Sequence, residues 1–183
     1  GSLQNLEVLD LADNELSSTI PSAIGVLPSL SHVQLYSNKL IGPIPNFTSE
    51  DLILLHFDDN RLSRSIPLIE SFSLLELRLE HNSLESTIPD YLGSLSTLEL
   101  LWLHENKLEG SIPGMLGHLK GLKSFHVYGN NLTGSVSGAV CDLKKHELAS
   151  FVANCESESD ESGDETEFSC SCCDKCSMVT DLE

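Results

Sequence analysis

The sequence predicts an α/β solenoid, with a parallel β-sheet on the concave side and short helical turns on the convex side. Three observations predict it. An asparagine returns at Asn14, Asn38, Asn60, Asn82, Asn106 and Asn130, at intervals of 24, 22, 22, 24 and 24 residues. Each sits in the frame L-x-x-L-x-L-x-x-N-x-L, clearest in Leu6, Leu9, Leu11, Asn14 and Leu16, and again in Leu98, Leu101, Leu103, Asn106 and Leu108. An Ile-Pro pair follows five of the six copies, at Ile20-Pro21, Ile44-Pro45, Ile66-Pro67, Ile88-Pro89 and Ile112-Pro113, and the sixth copy reads Val136-Ser137.

This frame at a period of roughly 20 to 29 residues is the signature of a leucine-rich repeat. Each repeat buries its apolar face only against its neighbours, so stability is nearly a sum over repeats and interfaces. The L-x-L segments alternate in and out and read as strands. Their inward pairs are Leu9/Leu11, Val33/Leu35, Leu55/Phe57, Leu77/Leu79, Leu101/Leu103 and Phe125/Val127. The asparagine amide both donates and accepts, so it can bond its own loop and the next repeat. Proline lacks an N–H and fixes φ, which suits the turn after each strand. A segment such as Ser22–Leu27 then makes a short helical turn.

The L-x-G-x-I-P-x-x-L-G-x-L pattern over residues 3 to 140 resembles the plant-type extracellular leucine-rich repeat of receptor-like kinases, receptor-like proteins and polygalacturonase inhibitors. The resemblance implies a binding module. The glycine of L-x-G is present at Gly42, Gly110 and Gly134 but replaced by Ser18, Arg64 and Ser86, which is expected to weaken the convex-side hairpin locally. The two 22-residue repeats must shorten their convex loops, around Asn46–Ser49 and Leu68–Ser71.

Residues 1–140 are read as six repeats and 141–155 as a C-terminal cap half-repeat, carrying a faded frame in Leu143, Ala149, Phe151 and Asn154. Terminal repeats are atypical because they must cover the last apolar face. Residues 156–168 read as an acidic disordered linker, and 169–183 as a Cys-rich tail. The opening Gly1-Ser2-Leu3 matches Gly93-Ser94-Leu95 inside a later repeat, so the chain reads as part of a longer parent, where any transmembrane segment would lie.

All six cysteines, Cys141, Cys155, Cys170, Cys172, Cys173 and Cys176, follow residue 140. They are disulfide candidates, as in a secreted protein. The competing reading is a zinc site from Cys170, Cys172, Cys173 and Cys176. The cap and its C-x-C-C-x-x-C ending resemble extracellular leucine-rich repeat proteins of unicellular algae. Asn46 and Asn131 open N-x-T triplets and are glycosylation candidates. These features point to an extracellular or cell-surface location.

The net charge of -18 is uneven, with residues 156–183 holding 10 acids and 1 base. Nucleic acid needs a basic face and is excluded as a partner. No run has the roughly 18 apolar residues of a membrane span. On the 24 outward strand positions fall five of the seven histidines, seven acids, one base and the only tryptophan. The candidate ligand-binding residues are His56, Asp58, Asp59, Arg78, Glu80, His81, Trp102, His104, Glu105, His126 and Tyr128. Tryptophan, tyrosine and arginine are the usual anchors of interfaces. Histidines beside carboxylates are expected to keep their protons to higher pH. A gently curved open sheet encloses a metal poorly, so no metal or other cofactor is expected.

There is no G-x-S-x-G elbow, H-E-x-x-H pair, P-loop or glycine-rich nucleotide turn. The predicted function is therefore non-catalytic recognition of a peptide or protein, with a basic one favoured by the acids on the face. Two further readings are an inhibitor of a secreted enzyme and an intracellular repeat scaffold.

Overall fold

In the computed structural model, residues 3–154 and 168–177 are described, with residues 175–177 as backbone. The chain is a solenoid. Eight parallel strands form its inner sheet in the order Val8–Asp10, His32–Gln34, Leu54–His56, Glu76–Arg78, Leu100–Trp102, Ser124–His126, Ser150–Asn154 and Lys175–Ser177. Register repeats without slip: Leu9 faces Val33, then Leu55, Leu77, Leu101, Phe125 and Phe151. Period-2 alternation sends these side chains inward, where Val33 through Phe151 are fully buried. A run of Phe125 stacked on Phe151, with ring centroids 4.9 Å apart, ends the aliphatic column.

Each asparagine closes its turn from inside. The Asn106 amide donates to Leu103 and His104 in its own loop and to Leu79 in the repeat before, and its Oδ1 accepts from the Leu84 N–H at 2.9 Å. Asn38, Asn60, Asn82 and Asn130 repeat this pattern. The link therefore runs to the preceding repeat, not the following one. The residue just before the asparagine must turn left-handed to aim it inward: Asp13, Ser37, Asp59, His81 and Glu105 have φ between 51° and 53°.

A second, six-stranded parallel sheet runs beside the first, through Ser17–Thr19, Lys39–Gly42, Arg61–Arg64, Ser83–Thr87, Lys107–Gly110 and Asn131–Leu132. The strand pairing persists at the positions where the glycine is missing. Ser18, Arg64 and Ser86 adopt φ of 85°, 75° and 77°, matching Gly42 at 77° and Gly110 at 74°. The strands keep their pairing because neighbouring repeats impose the geometry. The consequence is backbone strain at three non-glycine residues.

The convex side alternates between two solutions. Short 3-10 turns at Ser22–Ile24, Asp90–Ser94 and Gly114–His118 each follow a proline. In the sixth repeat Ser137 replaces the proline, accepts a hydrogen bond from the Val140 N–H, and heads a true α-helix, Gly138–Cys141. Consecutive turns touch so closely that a Cβ on Gly93 would lie 2.2 Å from the Met115 carbonyl oxygen. The two 22-residue repeats have no such turn. They run extended, with Phe47 bridged to Ile69 and the Leu68 N–H donating to the Asn46 Oδ1.

The tail docks back on the solenoid. Phe168, assigned by the sequence to the linker, is buried in a short strand, Phe168–Ser169, paired with Gly134–Ser135. Its apolar ring covers the end of the core, as a cap requires. Disulfides join Cys141 to Cys172 and Cys170 to Cys173. Sulfurs so committed leave no four-thiolate zinc site. Cys155, the side chain of Cys176 and the acidic segment 155–167 lie outside the described residues. Among the described residues no helix is long and apolar enough to cross a membrane.

Two stability outcomes follow from this geometry. Asn106→Ala should destabilise by about 3 kcal/mol, because it orphans a buried N–H and three carbonyls, whereas Asn14→Ala should cost about 1 kcal/mol. Asn14 has only own-loop partners, Leu11 and Ala12. Ser86→Gly should stabilise by about 0.5–1 kcal/mol through relief of left-handed strain, and Gly110→Ala should destabilise by about 1–2 kcal/mol. Urea unfolding of each variant measures both.

Candidate functional site

The register arranges the outward side chains into rows that run along the solenoid axis, perpendicular to the strands. One row holds Gln34, His56, Arg78, Trp102, His126 and Val152. Backbone bonds carry the alignment into the adjoining turns, Asp59 N–H to Glu80 O, His81 N–H to His104 O and Glu105 N–H to Tyr128 O. The next row is therefore Asp58, Glu80, His104 and Tyr128. Asp59, His81 and Glu105 form the row after it, on the left-handed residues.

The first of these rows is held by the residues beside it, with only the Arg78 Nε buried and unpartnered among the described residues. His56 Nε2 lies 3.0 Å from Glu76 Oε2, and the Arg78 guanidinium donates to the same oxygen at 3.1 Å. Arg78 also lies over the Trp102 ring, 4.6 Å from its centroid. Trp102 is stacked on His126 at 5.2 Å with the planes 2° apart, and its indole N–H donates to Ser124 Oγ at 2.9 Å. His126 Nε2 is 2.9 Å from Ser150 Oγ. The result is a continuous ion-pair and stacking chain across five strands.

The second row does not satisfy itself. Glu80 is 6% exposed and His104 7%, yet Glu80 Oε2, His104 Nδ1 and Asp58 Oδ1 are buried without a hydrogen-bond partner among the described residues. The His104 ring is stacked on Tyr128 with centroids 4.5 Å apart and meets His81 edge-on at 5.3 Å. His104 and Tyr128 thus continue the aromatic wall that Trp102 and His126 begin. Orphaned buried polar groups are rare in native proteins and call for an explanation.

Burial sets the charge states. Desolvation pushes the Glu80 carboxyl up to about 7, with Asp58 and Asp59 adding to the rise against Arg78. Asp58 is raised chiefly by the same desolvation. The histidines depart from expectation. Desolvation lowers His104 to about 4, assisted by His81 and His126, and it also lowers His126. His56 has a carboxylate partner in Glu76, but burial and Arg78 outweigh it and lower it too. Packing against neighbouring rings removed the water that an imidazolium needs, a fact that spacing in the chain does not reveal.

Of the residues predicted from sequence, Arg78, Trp102 and His126 join one row with His56, and Asp58, Glu80, His104 and Tyr128 join the next. Glu76, Ser124 and Ser150 went unselected, although each holds a member of the first row in place. Glu76 and Ser124 sit on outward positions of the frame and were readable. Ser150 belongs to the faded seventh copy, whose strand continues the sheet. Asn46 and Asn131 are both exposed, on the extended convex segment and on the last strand of the side sheet, Asn131–Leu132.

Comparison with known proteins agrees with the architecture. Residues 72–132 and 5–27 match families described as leucine-rich repeat. Over 104 residues the chain is 37% identical to Receptor-like protein 35 of Arabidopsis thaliana, an alignment covering 55% of this chain and 11% of that protein. It is similar to the crystal structure of PEPR1-AtPEP1, with 32% identity and a TM-score of 0.78, covering 82% of this chain and 21% of that one. It is also similar to the plant peptide hormone receptor RGFR1 in complex with RGF2, with 30% identity and a TM-score of 0.73, covering 92% and 26%. The chain thus spans a small fraction of the length of each.

The raised Glu80 carboxyl has a stability consequence. Its folded value lies above the ordinary 4.5, so the native state holds the proton more tightly than the unfolded chain. That contribution is present below about 4.5 and is lost as pH rises through about 7. Moving a carboxyl from 4.5 to about 7 corresponds to about 3 kcal/mol. Glu80→Gln should therefore raise stability by up to about 3 kcal/mol at pH 8 and leave it nearly unchanged at pH 4.5. Denaturation at the two pH values measures the difference.

Proposed function

Because this chain is a leucine-rich-repeat solenoid with the repeats of plant receptor-like proteins, we propose that it is a non-catalytic recognition module that binds a peptide or protein segment along its inner sheet. The observation that carries this reading is the aromatic wall of Trp102, His104, His126 and Tyr128, prestacked on rigid strands beside the buried carboxylates of Asp58 and Glu80. Rings held in place before binding lose little conformational entropy when a ligand arrives. Arg78, fixed by Glu76 and Trp102, extends the wall toward the middle of the sheet.

Size supports a peptide. Inner strands lie about 4.8 Å apart, so the five gaps from His32 to Ser150 span about 24 Å. An extended peptide advances about 3.3 Å per residue, so about seven residues would fill the face. The plant peptide hormone receptor RGFR1, to which the chain is similar, is seen in complex with RGF2, which favours the same class of ligand here. The disulfides Cys141–Cys172 and Cys170–Cys173 favour an oxidising, extracellular or cell-surface setting over a cytosolic scaffold.

Selection of displayed peptides of about ten residues on the oxidised protein tests the proposal. Trp102→Ala and Tyr128→Ala should each weaken the selected peptides by about 10- to 30-fold, the range of an interface hot spot. Phe72→Ser, on the convex side, should leave them unchanged. Binders that ignore Trp102→Ala and fail on Phe72→Ser would refute the reading.

A further inference from the structure

The two outward rows differ in one respect that the aromatic wall does not account for. In the His56–Arg78–Trp102–His126 row the Arg78 Nε is the one buried side-chain polar atom without a partner among the described residues. The adjacent row leaves Asp58 Oδ1, Glu80 Oε2 and His104 Nδ1 buried and, among the described residues, unpartnered in three consecutive repeats. Burying such groups without partners is costly, so their retention in one contiguous line needs a compensating group. Arg78 is the nearest candidate on its own strand, but its guanidinium is committed to Glu76 and to the Trp102 face. It supplies field to Asp58 and Glu80 without bonding either.

We propose that Asp58, Glu80 and His104 form a subsite for one guanidinium group, the side chain of an arginine in the bound peptide. This inference rests on the inner sheet being the ligand-binding face.

Three features select the guanidinium. The unpartnered atoms are two carboxylate oxygens and an imidazole nitrogen from three separate repeats, so a group with several donors in one plane suits them better than a point charge. The His104 ring of this row is stacked on Tyr128, and a planar cation packs on aromatic faces. The same sheet already holds a guanidinium on a ring in the Arg78–Trp102 contact, 4.6 Å from the centroid. Neutral His104 presents one ring nitrogen as an acceptor. Among the described residues no three such side chains are grouped to hold a metal ion, so an organic cation is the matching chemistry.

Binding should exchange a proton. Glu80 faces Asp58 and Asp59 from the strand before, Arg78 and His81 from its own repeat, His104 and Glu105 from the strand after, and Tyr128 beyond them. With burial holding the Glu80 carboxyl at about 7, part of it is protonated at neutral pH. An arriving guanidinium favours the ionised form and expels that proton. Affinity therefore rises with pH through about 7.

The probe is N-acetylarginine amide, with N-acetyllysine amide as a control of equal charge. The reporter is Trp102, the only tryptophan in the chain, followed by fluorescence and by its indole N–H resonance. The expected result is saturable binding that tightens at least fivefold from pH 5.5 to 7.5 and exceeds the lysine probe at least threefold. Glu80→Gln should lower affinity at pH 7.5 at least fivefold and abolish the pH dependence. Equal binding by wild type and Glu80→Gln, a flat pH profile, or equal affinity for the two probes would each overturn the subsite. Selected peptides separate this from the broader reading. Peptides that need Trp102 but contain no arginine and ignore Glu80→Gln would refute the subsite and leave the inner sheet as the binding face. Peptides that need neither residue would refute both.

Discussion

The asparagine amide at each turn is the constraint from which the rest of the molecule follows. It bonds two carbonyls of its own loop, one carbonyl of the repeat before, and an N–H of that same earlier repeat. Four groups that would otherwise be buried unpaired are thereby satisfied by one side chain. This fixes the turn, and the turn fixes the register of the strand ahead of it. A slip of one residue would turn every inward leucine to solvent. Because the inward and outward alternation is kept from strand to strand, side chains 22 to 26 residues apart fall into straight rows on the outer surface of the sheet. The rows of Arg78, Trp102 and His126 and of Asp58, Glu80 and His104 exist only because Asn60, Asn82, Asn106 and Asn130 hold their turns.

That same constraint explains where local preference yields. Ser18, Arg64 and Ser86 are held left-handed at positions where glycine would be at ease. Asp59, His81 and Glu105 are left-handed too, one residue before their asparagines. Each repeat transmits its geometry to the next through two parallel sheets, so an unsuitable residue is strained in place and the strand does not come apart. On the convex side there is no such ladder, and the chain is free to vary. There it makes 3-10 turns, one α-helix capped by Ser137, or the extended Phe47–Ile69 bridge, according to the residues available.

The fold was legible because its signal is periodic and local. Asn14 to Asn130 set the period, and Leu9, Val33, Leu55, Leu77, Leu101 and Phe125 name the core without reference to any long-range contact. The grouping of Trp102, His126 and Tyr128 on one face was legible for the same reason. Three things were not. The protonation of His56, His104 and His126 depends on how much water their neighbours exclude, which is a property of packing. The seventh strand and its Ser150 were obscured because the frame fades at Leu143 to Asn154. The pairing of Cys141 with Cys172 depends on the tail folding back to place Phe168 over the core, and six cysteines admit many pairings in sequence.

The proposed binding surface is the set of rows on the inner sheet, and not the convex loops. Hydrogen–deuterium exchange with and without a selected peptide tests it most directly. Added protection should fall on the inner strands and their turns at 54–59, 76–81, 100–105 and 124–129. Protection confined to the convex segments 47–50, 68–72 and 90–95, with the inner strands unchanged, would contradict the account.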